Sequence, residues 1–183
     1  MKFEPKTIIL KDGRSCTLRP THPDDAAEMI AYMKQIAEET RFTLRTPEEV
    51  TYTLEQEREI LGHLLEDNGS VMMLAEVDGQ VAGNCSISGM GYKSRVLHRC
   101  SLAIALKKDF WNLGIGFAMI TYLTELARQI GFEQIELDVV SDNERGIKLY
   151  EKCGFVETGK RLRAMKYNDG TYADETIMSK LLK

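Results

Sequence analysis

Two glycines at the junction between an apolar strand and an amphipathic helix constrain this chain more than any other stretch. Leu102, Ala103, Ile104, Ala105 and Leu106 form the strand, a polar turn follows, and Leu113-Gly114-Ile115-Gly116 leads into a helix over 114–129. Ile115, Ala118, Met119, Tyr122, Leu123, Leu126 and Ala127 recur at helical spacing, so this helix buries one face. A second apolar strand at 134–140 completes a strand, helix, strand unit, and that connection sets its two strands parallel. The first N–H groups of a helix have no internal partner and lie at its positive end, and glycine lets a ligand approach them closely. A phosphate cradle and a tight turn into a core helix both account for Gly114 and Gly116.

The chain before this unit is patterned for antiparallel pairing. Asp12-Gly13 separates alternating runs at 7–10 and 15–19, and Asp78-Gly79 separates 70–77 from 80–88, two strong hairpin signals. Between the hairpins, Pro23-Asp24-Asp25 starts a helix with Ala26, Met29, Ile30, Met33 and Ile36 on one face. Thr46-Pro47-Glu48-Glu49 reads as a capping box for a second helix reaching about residue 66. The carboxylates Glu38, Glu39, Glu48, Glu49, Glu55, Glu57 and Glu59 in this region read as a solvated helix face rather than a lure for polyamines. A strand over 96–106 then feeds the glycine turn. After the parallel unit, Asp142 or Asn143 caps a short helix that Gly154 ends, and 156–165 and 173–181 alternate as strands around Asn168-Asp169-Gly170. The expected fold is one α/β domain over 1–183: a mixed, mostly antiparallel twisted sheet with a central parallel pair and helices on both faces.

Composition removes several functions. A net charge of −4 supplies no basic footprint, so a nucleic-acid partner is not expected. No stretch approaches the ~20 apolar residues that span a bilayer, and the first residues have no signal-peptide core, so a cytoplasmic location without a membrane partner is expected. Cys16, Cys85, Cys100 and Cys153, like His22, His63 and His98, lack metal or redox spacing; the cysteines are expected to be reduced and buried, and no metal is expected.

The glycine turn matches a dinucleotide fingerprint only superficially. Met119 stands where the third glycine belongs, the connection over 107–113 is long, and antiparallel strands precede the unit. Phe110-Trp111-Asn112-Leu113-Gly114-Ile115-Gly116 instead resembles the acetyl-CoA diphosphate loop of the GNAT superfamily of N-acetyltransferases, Arg/Gln-x-x-Gly-x-Gly/Ala. Asn143-Glu144-Arg145-Gly146-Ile147-Lys148-Leu149-Tyr150-Glu151-Lys152-Cys153-Gly154-Phe155 is similar to its second hallmark, Asn-x-x-Ala-x-x-Leu-Tyr-x-x-x-Gly-Phe. The likeness runs from Leu18-Arg19-Pro20 to Asp169-Gly170-Thr171-Tyr172-Ala173-Asp174, which looks like the closing hairpin of bacterial small-molecule and amino-acid acetyltransferases. Trp111 departs from the usual Arg or Gln, and Gly146 from the usual alanine.

The resemblance implies acetyl-CoA as co-substrate and N-acetylation of a primary amine by direct attack in a ternary complex, and the cysteines lie in no activating setting for a covalent route. The strand before the loop would splay from its parallel neighbour, with Ile104 and Leu106 offering backbone bonds to pantetheine. Trp111, Asn112, Leu113, Gly114, Ile115 and Gly116 would hold the diphosphate. Asn143 would contact the pantetheine arm, cap its helix, or do both, and Tyr150 would act as the general acid. The base is open: Ser101 occupies the place of the glutamate that related enzymes often use, which leaves Glu76, His98 or a water chain. The acceptor is a small-molecule amine or a protein N-terminus, and homodimers are a family habit. A rival reading is a non-catalytic acyl-CoA-binding or sensing module.

Overall fold

Both Asp-Gly signals turn the chain as their chemistry demands. Asp78 and Gly79 both take left-handed backbone (φ 51° and 75°), the pair of values a tight two-residue hairpin needs. The computed structural model describes residues 1–182. Its strands are β1 (Lys6–Ile9), β2 (Ser15–Pro20), β3 (Ser70–Val77), β4 (Gln80–Gly89), β5 (Arg99–Leu106), β6 (Gln134–Val140), β7 (Val156–Lys166) and β8 (Tyr172–Leu181). The helices are α1 (Ala26–Glu39), α2 (Leu54–Glu66), α3 (Ile115–Ile130) and α4 (Glu144–Lys152).

All eight strands join one sheet in the order β1-β2-β3-β4-β5-β6-β8-β7, and β5–β6 is the parallel pair. Strand alternation then loads the two faces separately. Val71, Met73 and Ala75 of β3 and Ile135, Leu137 and Val139 of β6 pack with α3 residues Ile115, Met119, Ile120 and Leu123. Leu74 and Val81 face the other way, against Ala26, Met29, Tyr32 and Ile36 of α1 and Leu61 of α2. Each such buried side chain stabilises the fold by about 1.5–3 kcal/mol. The expected sheet with helices on both faces is therefore observed, and all four cysteines are free and buried. Among the described residues no helix is long and apolar enough to cross a membrane.

Two boundaries differ from expectation. The Thr46 capping box forms, but it opens only a 3₁₀ turn (Pro47–Glu49); Val50 leaves helical geometry at ψ 78°, and α2 starts afresh from a second box in which Thr53 accepts the Gln56 N–H. The strand expected over 96–106 begins at Arg99, because Val96 and Arg99 donate to the Lys93 and Val96 carbonyls in turns.

Candidate active site

β5 and β6 stay paired over only three positions, Arg99 with Gln134, Cys100 with Ile135 and Ser101 with Glu136. Beyond Ser101, β5 continues beside β4 as far as Leu106 opposite Gly83, so the parallel pair parts along its C-terminal half. Lys107 donates to Ala82 across β4, and antiparallel alternation therefore turns the peptide groups of Leu106 and Ile104 away from β4, into the gap. A cleft of about 1860 Å³ opens there, lined by β5, β6, α1, the 40–45 loop, the glycine turn and α4.

The glycine turn forms one end of this cleft. Gly114 caps α3 in left-handed conformation (φ 96°), where a side chain would be strained. The first intrahelical bond runs from the Ala118 N–H to the Gly114 carbonyl, which leaves the N–H groups of Ile115, Gly116 and Phe117 without helical partners. A Cβ on Gly116 would stand 2.9 Å from Leu149 Cδ2, so glycine is what lets α3 and α4 meet here. Asn112 also adopts positive φ (64°), and Lys11, Arg145, Lys148 and Lys152 line the same end. A chain of free N–H groups ringed by cations fits a diphosphate.

Trp111 sits differently from a diphosphate ligand. Its indole N–H donates to the Leu106 carbonyl at 2.7 Å, and the Arg145 guanidinium lies 4.2 Å above its ring. The Leu106 carbonyl is thereby occupied, while both polar groups of the Ile104 backbone stay turned to the gap. Leu113 does not line the cleft: its carbonyl takes the Lys11 N–H and its side chain packs on the core. Ile104, Leu106, Trp111, Asn112, Gly114, Ile115, Gly116, Asn143 and Tyr150 all line it.

Asn143 caps α4, its Oδ1 accepting the Gly146 N–H at 3.0 Å, with its amide nitrogen left for the cleft. A Cβ at Gly146 would meet Asn143 Nδ2 at 2.8 Å, so a larger residue there would displace the Asn143 amide. Two turns on, Tyr150 is 8% exposed and edges against Phe155, and its hydroxyl has no hydrogen-bond partner among the described residues. Burial, with the Cys85 and Cys153 thiols alongside, pushes this phenol well above its ordinary value, so it holds its proton.

The opposite face of β6 carries the carboxylates. Glu136 and Asp138 alternate with the core residues Ile135, Leu137 and Val139, and so face the α1–α2 side. Arg99 forks onto Glu136 at 2.5 and 2.7 Å; this bond draws the carboxyl below its ordinary value, against an opposing effect of burial. Asp138 and the buried Glu175 of β8 share Arg161 Nη1, at 3.0 and 2.5 Å. A bulge in β7 after Arg161, with Arg163 at φ 51°, aims that side chain across β8. Neither base candidate from the sequence lines the cleft. Glu76 is paired with Arg19 at 2.8 Å between β2 and β3, and His98 lies in the turn before β5. The sequence singles out Asp138 only as the acidic residue of the rejected dinucleotide fingerprint and not as a base, although the alternation Ile135-Glu136-Leu137-Asp138 places two carboxylates on the uncovered face of the splayed strand.

A family model described as the acetyltransferase (GNAT) family matches residues 30–155. The chain belongs to the GNAT acetyltransferase family. A GNAT-family acetyltransferase from Streptococcus pneumoniae is similar at 29% identity over 91% of this chain and 99% of that one, with a TM-score of 0.86. Two more distant structures share the fold: Salmonella typhimurium yncA, solved with its cofactor acetyl-CoA (18% identity, 92% and 94% covered, TM-score 0.80), and ribosomal-protein-alanine N-acetyltransferase from Brucella melitensis (22%, 90% and 98% covered, TM-score 0.79). As a GNAT acetyltransferase the protein uses acetyl-CoA as co-substrate.

Proposed function

We propose that residues 1–183 act as one N-acetyltransferase domain that acylates a primary amine by direct attack in a ternary complex. The observation that carries this reading is Tyr150, a buried phenol beside the parting of β5 and β6 whose hydroxyl has no partner among the described residues. Acetyl-CoA supplies the activated acetyl group. Ile115, Gly116 and Phe117 hold its diphosphate through their N–H groups, with Gly114 and Asn112 shaping the turn. The Ile104 backbone and the Asn143 amide hold the pantetheine arm, and an N–H of the Ile104 strand steadies the charge that develops on the carbonyl oxygen.

Acid and base flank the gap from the two faces of the sheet. Tyr150, on the α3–α4 face, gives its proton to the departing sulfur. Asp138, on the α1–α2 face and two residues past the last paired residue Glu136, takes the proton of the attacking ammonium. Its side chain is 42% exposed and Arg161 contacts only one of its oxygens, whereas Glu136 is held on both. The acceptor enters from this face, as a small molecule or as a chain terminus of the kind the Brucella enzyme's name specifies.

The test is calorimetric titration with acetyl-CoA, then thiol release against a panel of amines. Binding followed by release on an amine is the expected result; binding with no release on any amine would leave only an acyl-CoA sensor.

A further inference from the structure

Charges on the acceptor side of the cleft follow a pattern that the transfer reaction itself does not require. The cleft arginines Arg99 and Arg161 are internally matched, Arg99 with Glu136 and Arg161 with both Asp138 and Glu175, and Arg41, which does not itself line the cleft, holds the cleft carboxylate Asp142. Glu144, the remaining cleft carboxylate, pairs with Lys148 on α4 at the diphosphate end. Arg45 lines the same cleft from the loop after α1 and forms no ion pair among the described residues. Its guanidinium instead lies 5.6 Å above the Tyr52 ring, and the Thr43 hydroxyl bonds to its carbonyl. Glu57, buried on α2, forms no ion pair with Arg45 among the described residues; burial raises its carboxyl and Arg45 pulls it the other way.

The acceptor side is thus lined by Arg45, Arg99 and Arg161 against Glu136, Asp138, Asp142 and Glu175, and the charges balance once Arg41, outside the lining, is counted as the partner of Asp142. Pairing leaves one carboxylate over, because Asp138 and Glu175 share an arginine, and one arginine over, Arg45. Resting on the transferase reading above, we propose that the acceptor is an amine that also carries a carboxylate: its ammonium goes to Asp138 and its carboxylate to Arg45. Such a molecule enters as a zwitterion and keeps the balance. A polyamine brings several positive charges to a surface whose carboxylates already hold arginines, and desolvating such charges without partners is unfavourable. Apolar Met33, Ile36, Phe42 and Val50 line the same cleft and suit the hydrocarbon body of the acceptor.

The test compares matched pairs on the full chain with acetyl-CoA, reading thiol release: leucine against isopentylamine, phenylalanine against phenethylamine, and lysine against cadaverine, with spermidine alongside. At least tenfold higher kcat/KM for the acid-bearing member is expected, and Arg45→Glu should shrink or reverse that ratio by tenfold or more at an unchanged Tm. Equal or better turnover of the decarboxylated amines, or a ratio indifferent to Arg45→Glu, overturns the proposal while the transferase reading stands. No release on any amine overturns both.

Discussion

The Tyr32 hydroxyl stands 2.9 Å from the Ala105 carbonyl and accepts the Asn84 N–H at 3.1 Å, so a side chain of α1 is inserted between two register partners of β4 and β5. Ala105 lies between Ile104 and Leu106, and the tyrosine therefore anchors the free-running half of β5 from the face opposite Tyr150. Burial pushes the Tyr32 phenol up, so it remains a neutral donor and acceptor.

Tyr32→Phe removes this link and leaves the Asn84 N–H and Ala105 carbonyl short of a partner. A loss of about 1–3 kcal/mol in urea-unfolding stability is expected. A raised KM for acetyl-CoA should accompany it, since the backbone of Ile104 is no longer held in place.

Tyr150→Phe keeps the ring packed on Phe155 and deletes the hydroxyl proposed as the acid. We expect kcat to fall by about 10²-fold or more, with the acetyl-CoA dissociation constant preserved in calorimetry. Because burial raises this phenol above its ordinary 10.0, it stays protonated through the working range, and the wild-type kcat profile should show no loss attributable to it below pH 10.0. Wild-type turnover in the phenylalanine variant would remove Tyr150 from the mechanism.

Gly114 and Gly116 should fail for different reasons when replaced by alanine. At Gly114 nothing lies within 4 Å of an added Cβ, and the φ of 96° alone is unfavourable, by roughly 1–2 kcal/mol. At Gly116 the new methyl meets Leu149 at 2.9 Å, an overpacking of about 1–3 kcal/mol. Thermal unfolding of double variants separates the two: Leu149→Ala should recover part of the Gly116→Ala loss and none of the Gly114→Ala loss.

Glu136 makes stability acid-sensitive. The Arg99 fork lowers its carboxyl below the ordinary 4.5, so the folded chain binds this proton less readily than the unfolded one. The resulting stabilisation is complete above pH 4.5 and disappears as pH falls through the lowered folded value. Urea midpoints measured downward from pH 6 should fall less steeply in Glu136→Gln than in the wild type.

Local chemistry alone determined much of this protein. Asp-Gly turns, the strand alternation of 134–140, the apolar stripe of α3, the Asn143 cap and the two glycines each act within a few residues, so their positions and even the parallel pair were legible in order. The second helix was misplaced for the same reason in reverse: a valid capping box at Thr46 starts a turn, but nothing local shows that Val50 leaves it. Tertiary structure alone decided which groups meet. Leu113 turns to the core while its neighbours face the cleft, Trp111 occupies the Leu106 carbonyl, Tyr32 enters a ladder 73 residues downstream, and Glu76 is tied to Arg19. The carboxylate left beside the gap is Asp138, whose one charged partner, Arg161, comes from β7 at a bulge and is shared with Glu175 of β8. Such pairings depend on burial and on contacts between distant elements, and no spacing along the chain encodes them.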